Sequence, residues 1–355
     1  MQNQTSDIPH PQTRAARRNP TDQPRVCGVP LVLTTSRVGA YMACPRRHWW
    51  SYELGIRKER DGRSLTIGKA YHGALEAMNR GTAPDLAAAS CRTADLDDVD
   101  REIAACMAAG WSWRWREAPQ FAKVLAVEQV FEFRPVKSKR WSVAGKIDVI
   151  GELPDGRVAV GEYKTTTEDL SKGTDYWRRL LIDRQCSGYV LGARALGYPV
   201  DTVSYDACRL PGIRPRLLTA VQRKLSGAPE GTRESLDQYA ERLMASIAEK
   251  PDWYYGREEI PRLDADLEEW RADMAHVVAM LTQSRKVNRW PRNTDACKRW
   301  GTCPYFNPCS ASHDPTTQGV PSGFVKVEDV HVELRVNPEP EADYGDGNDS
   351  NSTPE

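Results

Sequence analysis

Val143-Ala-Gly-Lys-Ile-Asp148-Val-Ile-Gly-Glu-Leu-Pro154-Asp-Gly156-Arg-Val-Ala-Val-Gly-Glu162-Tyr-Lys164 is the stretch that decides how this chain folds. Two runs rich in Val and Ile flank Pro154-Asp155-Gly156. Proline presets φ and glycine permits positive φ, so the trio predicts a turn between two strands. Side chains alternate along a strand, which puts Val158, Val160, Glu162 and Lys164 on one face of the second strand. A hairpin centred near Asp155 and Gly156 sets Asp148 opposite Tyr163, within diagonal reach of Glu162 and Lys164. Two carboxylates and an ammonium thus converge at the end of an otherwise apolar hairpin. Carboxylates that close repel each other, and a divalent cation relieves the repulsion. The plainer alternative is an exposed Asp148 beside a surface Glu162–Lys164 pair.

The rest of the composition neither advertises nor forbids such a site. The 355 residues carry 49 basic and 49 acidic side chains, so any nucleic-acid surface must come from local segregation of charge. With 40% apolar and 28% charged residues the chain has an ordinary globular balance. No apolar run approaches the ~18 residues of a membrane span, and no secretory signal is evident. A cytoplasmic protein without membrane contact is the expectation. Nine cysteines, an odd number, argue against a fully paired disulfide framework.

Outward from the hairpin, residues 1–30 read as a disordered leader and 337–355 as an acidic disordered tail, with one domain over 31–336 between them. Ser36 is the expected N-cap of a short helix through Ala43. Ile67, Ala70, Tyr71, Ala74, Leu75 and Met78 make an apolar helical stripe, with His72 at its edge. Residues 81–120 read as Ala-rich helix ending in Trp111-Ser112-Trp113-Arg114-Trp115, a packing cluster or a base-stacking platform. Residues 124–133 and 200–209 read as strands. Residues 176–197, 232–250 and 264–285 read as helices. This order predicts an α/β fold with a mixed sheet and helical additions.

Three constellations carry possible chemistry. His72, Asp148 and Glu162 offer hard oxygens and one imidazole suited to Mg²⁺ or Mn²⁺, with Lys164 beside them to orient a water or offset phosphoryl charge. Gln185 and Tyr189 lie four apart on one helix face, with Arg178, Arg179 and Arg184 as a basic surface for phosphates. The third set is Cys297, Cys303 and Cys309, among glycine and prolines, with Cys44 as the natural fourth thiolate. Four thiolates fit Zn²⁺ or an iron–sulfur cluster. Cys27, Cys91, Cys106, Cys186 and Cys208 are scattered and read as apolar fillers or solvent-exposed thiols. Glu128, on the strand ahead of the hairpin, is a secondary candidate near the metal.

The ordered set Cys44, His72, Asp148, Glu162-x-Lys164, Gln185-x-x-x-Tyr189 and three late cysteines resembles the RecB-like branch of the PD-(D/E)XK nucleases. It is most similar there to members with an iron–sulfur cluster: CRISPR-associated RecB-like exonucleases, the AddB nuclease domain and phage relatives. The resemblance spans roughly residues 34–310. It implies a restriction-endonuclease-like core, a mixed sheet flanked by helices. His72, Asp148, Glu162 and the Tyr163 carbonyl would hold Mg²⁺ or Mn²⁺, and Lys164 would serve catalysis. Gln185 and Tyr189 would orient the lysine or contact DNA, alongside Arg178 and Arg179. Cys44, Cys297, Cys303 and Cys309 would hold a [4Fe–4S] cluster. Five residues separate Cys297 from Cys303 where the branch has two, which keeps Zn²⁺ as the alternative. The implied activity is a metal-dependent DNA exonuclease acting on ends or single strands, in recombination, repair or phage DNA processing. Its alternatives are a CRISPR-adaptation-type trimming factor with an integrase partner, or a DNA-binding module with a relict site.

Overall fold

In a computed structural model, the described residues are 31–135, 140–298 and 301–334. The leader 1–30, Cys27 and the tail 337–355 lie outside them. The turn forms where the sequence puts it. Gly156 takes φ 88° and its N–H bonds the Leu153 carbonyl at 2.9 Å. The strands are β1 (Leu31–Leu33), β2 (Ile56–Lys58), β3 (Lys123–Phe133), β4 (Trp141–Glu152), β5 (Val158–Thr166), β6 (Val200–Arg209), β7 (Tyr255–Pro261) and β8 (Phe324–Lys326). The longer helices are α1 (Thr35–Ala43), α2 (Arg63–Asn79), α3 (Asp98–Trp115), α4 (Arg184–Ala195), α5 (Leu236–Glu249) and α6 (Asp264–Val287).

β4 is the hub of a mixed sheet. β3 runs antiparallel along one of its edges, from Lys123 opposite Glu152 to Phe133 opposite Val143. The other edge is divided: β1 pairs parallel with Trp141–Val143, and β5 pairs antiparallel with Val149–Glu152. Residues 144–148 therefore have no strand partner on that edge among the described residues, and the sheet forks there. β5 continues parallel to β6, which pairs antiparallel with β7.

Helices cover both faces, each burying an apolar stripe. On one side Val190 and Leu191 of α4 and Trp270, Met274 and Leu281 of α6 share a core with Phe131 and Ile147. On the other, Tyr71 and Leu75 of α2, Met107 of α3 and Leu243 and Ile247 of α5 pack with Val149 and Tyr163. Gly192 lets α4 come unusually close to the sheet, since a Cβ there would lie 2.5–2.6 Å from the Phe131 ring. A third, small cluster of Trp50, Ile56 and Tyr305 joins the two ends of the chain, helped by the antiparallel β2–β8 pair. Arg46 and Asn293 tie the same ends by hydrogen bonds to Trp290 O (3.0 Å) and Ala43 O (2.9 Å).

Several sequence expectations need correction. The N-cap of α1 is Thr34, whose hydroxyl accepts from Arg37 N at 3.2 Å; Ser36 already lies inside the helix. Residues 81–120 contain a helix over Pro84–Ser90, a 3₁₀ turn and then α3, capped by Asp97. The helix expected over 176–197 is broken: Asp175–Arg178 is helical, Arg179–Ile182 is 3₁₀, and Asp183 is extended. The Asp183 carboxylate caps a new helix by accepting from Gln185 N (2.7 Å) and Cys186 N (3.1 Å). Aspartate competes for backbone N–H groups in this way, which is why it starts helices more readily than it continues them. Arg178 and Arg179 thus do not share a helix with Gln185 and Tyr189. The sequence pattern does not mark β1, β2, β7 or β8; three of them have only three residues, too few for alternation to show.

Candidate active site

The fork in the sheet creates the site. The β4–β5 ladder ends at Val149 opposite Gly161, a register that sets Asp148 against Glu162, one residue from the expected Tyr163. Past that rung the strands are free of each other, and the backbone N–H of Tyr163 turns to the Asp148 carboxylate, donating to Oδ2 at 2.9 Å. Alternation also fails here. Ile147 and Ile150 pack into one core while Val149 packs into the other, although a regular strand would put 147 and 149 on the same face. Glu128, across the β3–β4 ladder from Asp148, absorbs the irregularity with φ 52°, a left-handed value uncommon for a residue with a side chain. Backbone strain of that kind concentrates at functional sites.

Glu162 is 1% exposed. Its Oε1 takes a short hydrogen bond from the Lys164 ammonium and another from the Gln185 amide at 2.9 Å. Gln185 spends its second amide proton on the Tyr189 hydroxyl at 2.8 Å, so the amide is committed to the carboxylate and the phenol together. Glu162 Oε2 is buried with no partner among the described residues. A buried carboxylate oxygen left bare is costly and calls for a proton or a cation.

The electrostatics agree. Burial pushes the Glu162 carboxyl up to about 8; nearby Asp148 adds to the push and Lys164 opposes it. Burial alone would lower the Lys164 ammonium, but Glu162 and Asp148 hold it above its ordinary value. His72 reaches across from α2, its Nδ1 3.7 Å from Asp148 Oδ2. Burial lowers its pKa against the pull of Asp148, so the ring is neutral at physiological pH and keeps a lone pair for a metal. The site therefore holds Asp148, Glu162, Lys164, His72 and Gln185 together, with the buried Tyr189 behind them.

Other candidates fall differently. Glu128 is half-buried and ion-paired to Lys146, and burial raises its pKa. Arg178 is exposed, 3.6 Å from Asp175; Arg179 pairs with Glu168 at 2.8 Å and lies over the Tyr176 ring. Two tryptophans of α3 serve packing, Trp111 meeting Tyr163 edge to face and Arg257 lying over the Trp115 ring, while Trp113 is exposed. Sequence reasoning passed over Lys146, Asn79 and Asp183. Asn79 anchors the Tyr163 hydroxyl at 2.9 Å, and the Asp183 carboxylate bears electrostatically on Glu162 and Lys164. Only Asp183 left a signal, as a capping residue two places before Gln185.

Cys44, Cys297, Cys303 and Cys309 are all free and half-buried, and Cys303 packs against the small third cluster. Asn293 N lies 3.4 Å from Cys44 Sγ, and Cys303 N bonds Cys297 O at 2.8 Å. Burial raises the Cys303 thiol, and Cys297 and Cys44 are near enough to add to the effect. Cys91, Cys106, Cys186 and Cys208 are buried. Among the described residues, no three or more His, Cys, Asp or Glu side chains stand as a ready metal-binding group, either here or at the fork. At the fork the donor chemistry fits a hard divalent cation: the bare Glu162 Oε2, the Asp148 carboxylate and a neutral imidazole.

The sequence profile described as the PD-(D/E)XK nuclease superfamily matches residues 32–310, and the chain belongs to that superfamily. Its mixed central sheet flanked by helices is consistent with the core of these enzymes. No curated protein matches. Among solved structures, SSO0001 is 12% identical, with coverage of 79% of this chain and 86% of that one and a TM-score of 0.33. A candidate exonuclease from Eubacterium rectale is 11% identical, with coverage of 64% and 84% and a TM-score of 0.34. Superposition this loose decides nothing about function. No helix among the described residues is long and apolar enough to cross a membrane.

Proposed function

We propose that this chain is a Mg²⁺- or Mn²⁺-dependent DNA exonuclease that hydrolyses phosphodiester bonds at DNA ends or in single strands. The observation that supports it most is the bare, buried Oε2 of Glu162 at a sheet fork shared with Asp148 and Lys164. Asp148, Glu162, His72 and the Tyr163 carbonyl would hold the cation. Bound there, a divalent ion polarises a phosphate oxygen and acidifies a water. Lys164, kept protonated by the two carboxylates, offsets charge on the phosphate and orients the attacking water. Gln185 fixes Glu162 against rotation, with Tyr189 behind it. Arg178 and Arg179 would contact the DNA backbone from the turn ahead of α4.

The four cysteines would form a thiolate site, a [4Fe–4S] cluster or Zn²⁺, that fastens the chain's two ends. Its support is that Cys303 lies within electrostatic reach of Cys297 and Cys44, and Arg46 within reach of Cys44 and Cys309. Anaerobic purification with a visible spectrum and metal analysis tests this: Cys303→Ser should lose the bound metal, and a metal-free wild type refutes the site.

The nuclease reading is tested with end-labelled linear DNA against closed circular DNA in Mg²⁺ or Mn²⁺. Linear DNA should be degraded and circular duplex spared. Asp148→Ala should lose activity while keeping a cooperative unfolding transition. Equal cutting of both substrates refutes the exonuclease, and full activity in Asp148→Ala refutes the site.

A further inference from the structure

The turn ahead of α4 holds two large aliphatic side chains out in solvent. Leu181 is 57% exposed and Ile182 87%, while Leu180 beside them is buried. The turn is not slack. Arg262, 3% exposed, donates from beneath to Leu180 O (2.6 Å), Asp183 O (3.1 Å) and Ser187 Oγ (2.8 Å). Side chains presented on a backbone pinned this way lose little freedom on binding. Arg178 and Arg179 precede the pair, in surface ion pairs with Asp175 (3.6 Å) and Glu168 (2.8 Å) that a phosphate would displace, and Arg184 follows it. Ile182 is three residues from Gln185, whose amide touches Glu162, so its Cα lies within about 11 Å of the Gln185 Cα.

We propose that Leu181 and Ile182 form an apolar wedge that inserts beneath the terminal base of a DNA strand end and unstacks it, while Arg178, Arg179 and Arg184 hold the flanking phosphates. The inference rests on reading the fork as a DNA-end nuclease and adds how the end is gripped. Apolar faces alternating with fixed negative charge are the pattern of a nucleic-acid strand, and an aliphatic pair among guanidiniums is its complement. A protein partner calls for a broader apolar patch than two side chains.

The test uses duplex DNA with 2-aminopurine as its terminal base, bound to the full chain with Ca²⁺ replacing Mg²⁺. Wild type should raise the fluorescence as the terminal base leaves its stack. The Leu181→Ser/Ile182→Ser double variant should abolish that rise and weaken end binding about tenfold, as the loss of an apolar contact predicts. Leu181→Met/Ile182→Met should restore both, because the wedge needs bulk and apolarity. A serine variant that keeps the fluorescence rise overturns the proposal. So does one that binds ends normally but sediments as a smaller species, which would make the pair a contact between copies. Unstacking without Mg²⁺-dependent cleavage in wild type would leave the wedge standing and remove the nuclease; cleavage without unstacking would do the reverse.

Discussion

Metal affinity at the fork should climb steeply with pH between 6 and 8, and Glu162 is the reason. Burial and Asp148 raise its carboxyl to about 8, so the metal-free protein holds a proton there at neutral pH. A divalent ion binds only the ionised carboxylate and must displace that proton. About one molecule in a hundred is ionised at pH 6 and about half at pH 8, so affinity should rise by one to two powers of ten and then flatten. His72 does not oppose the trend, because burial holds it below its ordinary 6.5 and losing any proton it carries also favours the metal. The same proton sets the sign for stability. A carboxyl raised in the fold keeps a proton that the unfolded chain has already lost, so metal-free protein loses stability as pH rises towards 8. Added Mg²⁺ should protect more at pH 8 than at pH 6. Calorimetric Mn²⁺ titration at pH 6, 7, 8 and 9, in buffers of differing ionisation enthalpy, reads both affinity and the released proton. Glu162→Gln mimics the protonated form; it should leave stability nearly unchanged at pH 6 and bind Mn²⁺ weakly at every pH. Wild-type affinity that stays flat from pH 6 to 8, or Glu162→Gln binding like wild type, would refute the reasoning.

Other expectations are as direct. Lys164→Met should lower kcat by about 100-fold or more by removing the charge beside the phosphate, and steady-state kinetics will show it. It should also shift the pH dependence of metal binding upward, since Lys164 is the group that opposes the rise of Glu162. His48 is buried between Tyr52 and Trp290, and burial followed by Arg37 lowers its pKa to about 2. The fold therefore refuses a proton that the unfolded chain accepts below pH 6.5, and stability falls by about 1.4 kcal/mol per pH unit from there downward. Urea melts from pH 7 to 4.5 should show a shallower slope in His48→Phe; an identical slope refutes the assignment. Gly192→Ala should cost about 1–3 kcal/mol, because its methyl would meet the Phe131 ring at 2.5–2.6 Å. An unchanged unfolding temperature would mean α4 does not lie that close.

The sequence by itself determined the hairpin, the α/β class, and the company of Asp148, Glu162 and Lys164, because each follows from local rules. A Pro-Asp-Gly turn and period-two alternation need no distant partner. It also set His72 with them from donor chemistry and added Gln185 through a resemblance in motif order, neither through any pattern in space. Only the tertiary structure decided that β1 and β5 share one edge of β4 and leave a fork at Asp148. Only it broke the helix at Asp183, exposed Leu181 and Ile182 on a turn pinned by Arg262, and left one oxygen of Glu162 bare. Those features depend on which strand stands beside which and on what burial does to charge. Neither is written in the spacing of residues along a single strand.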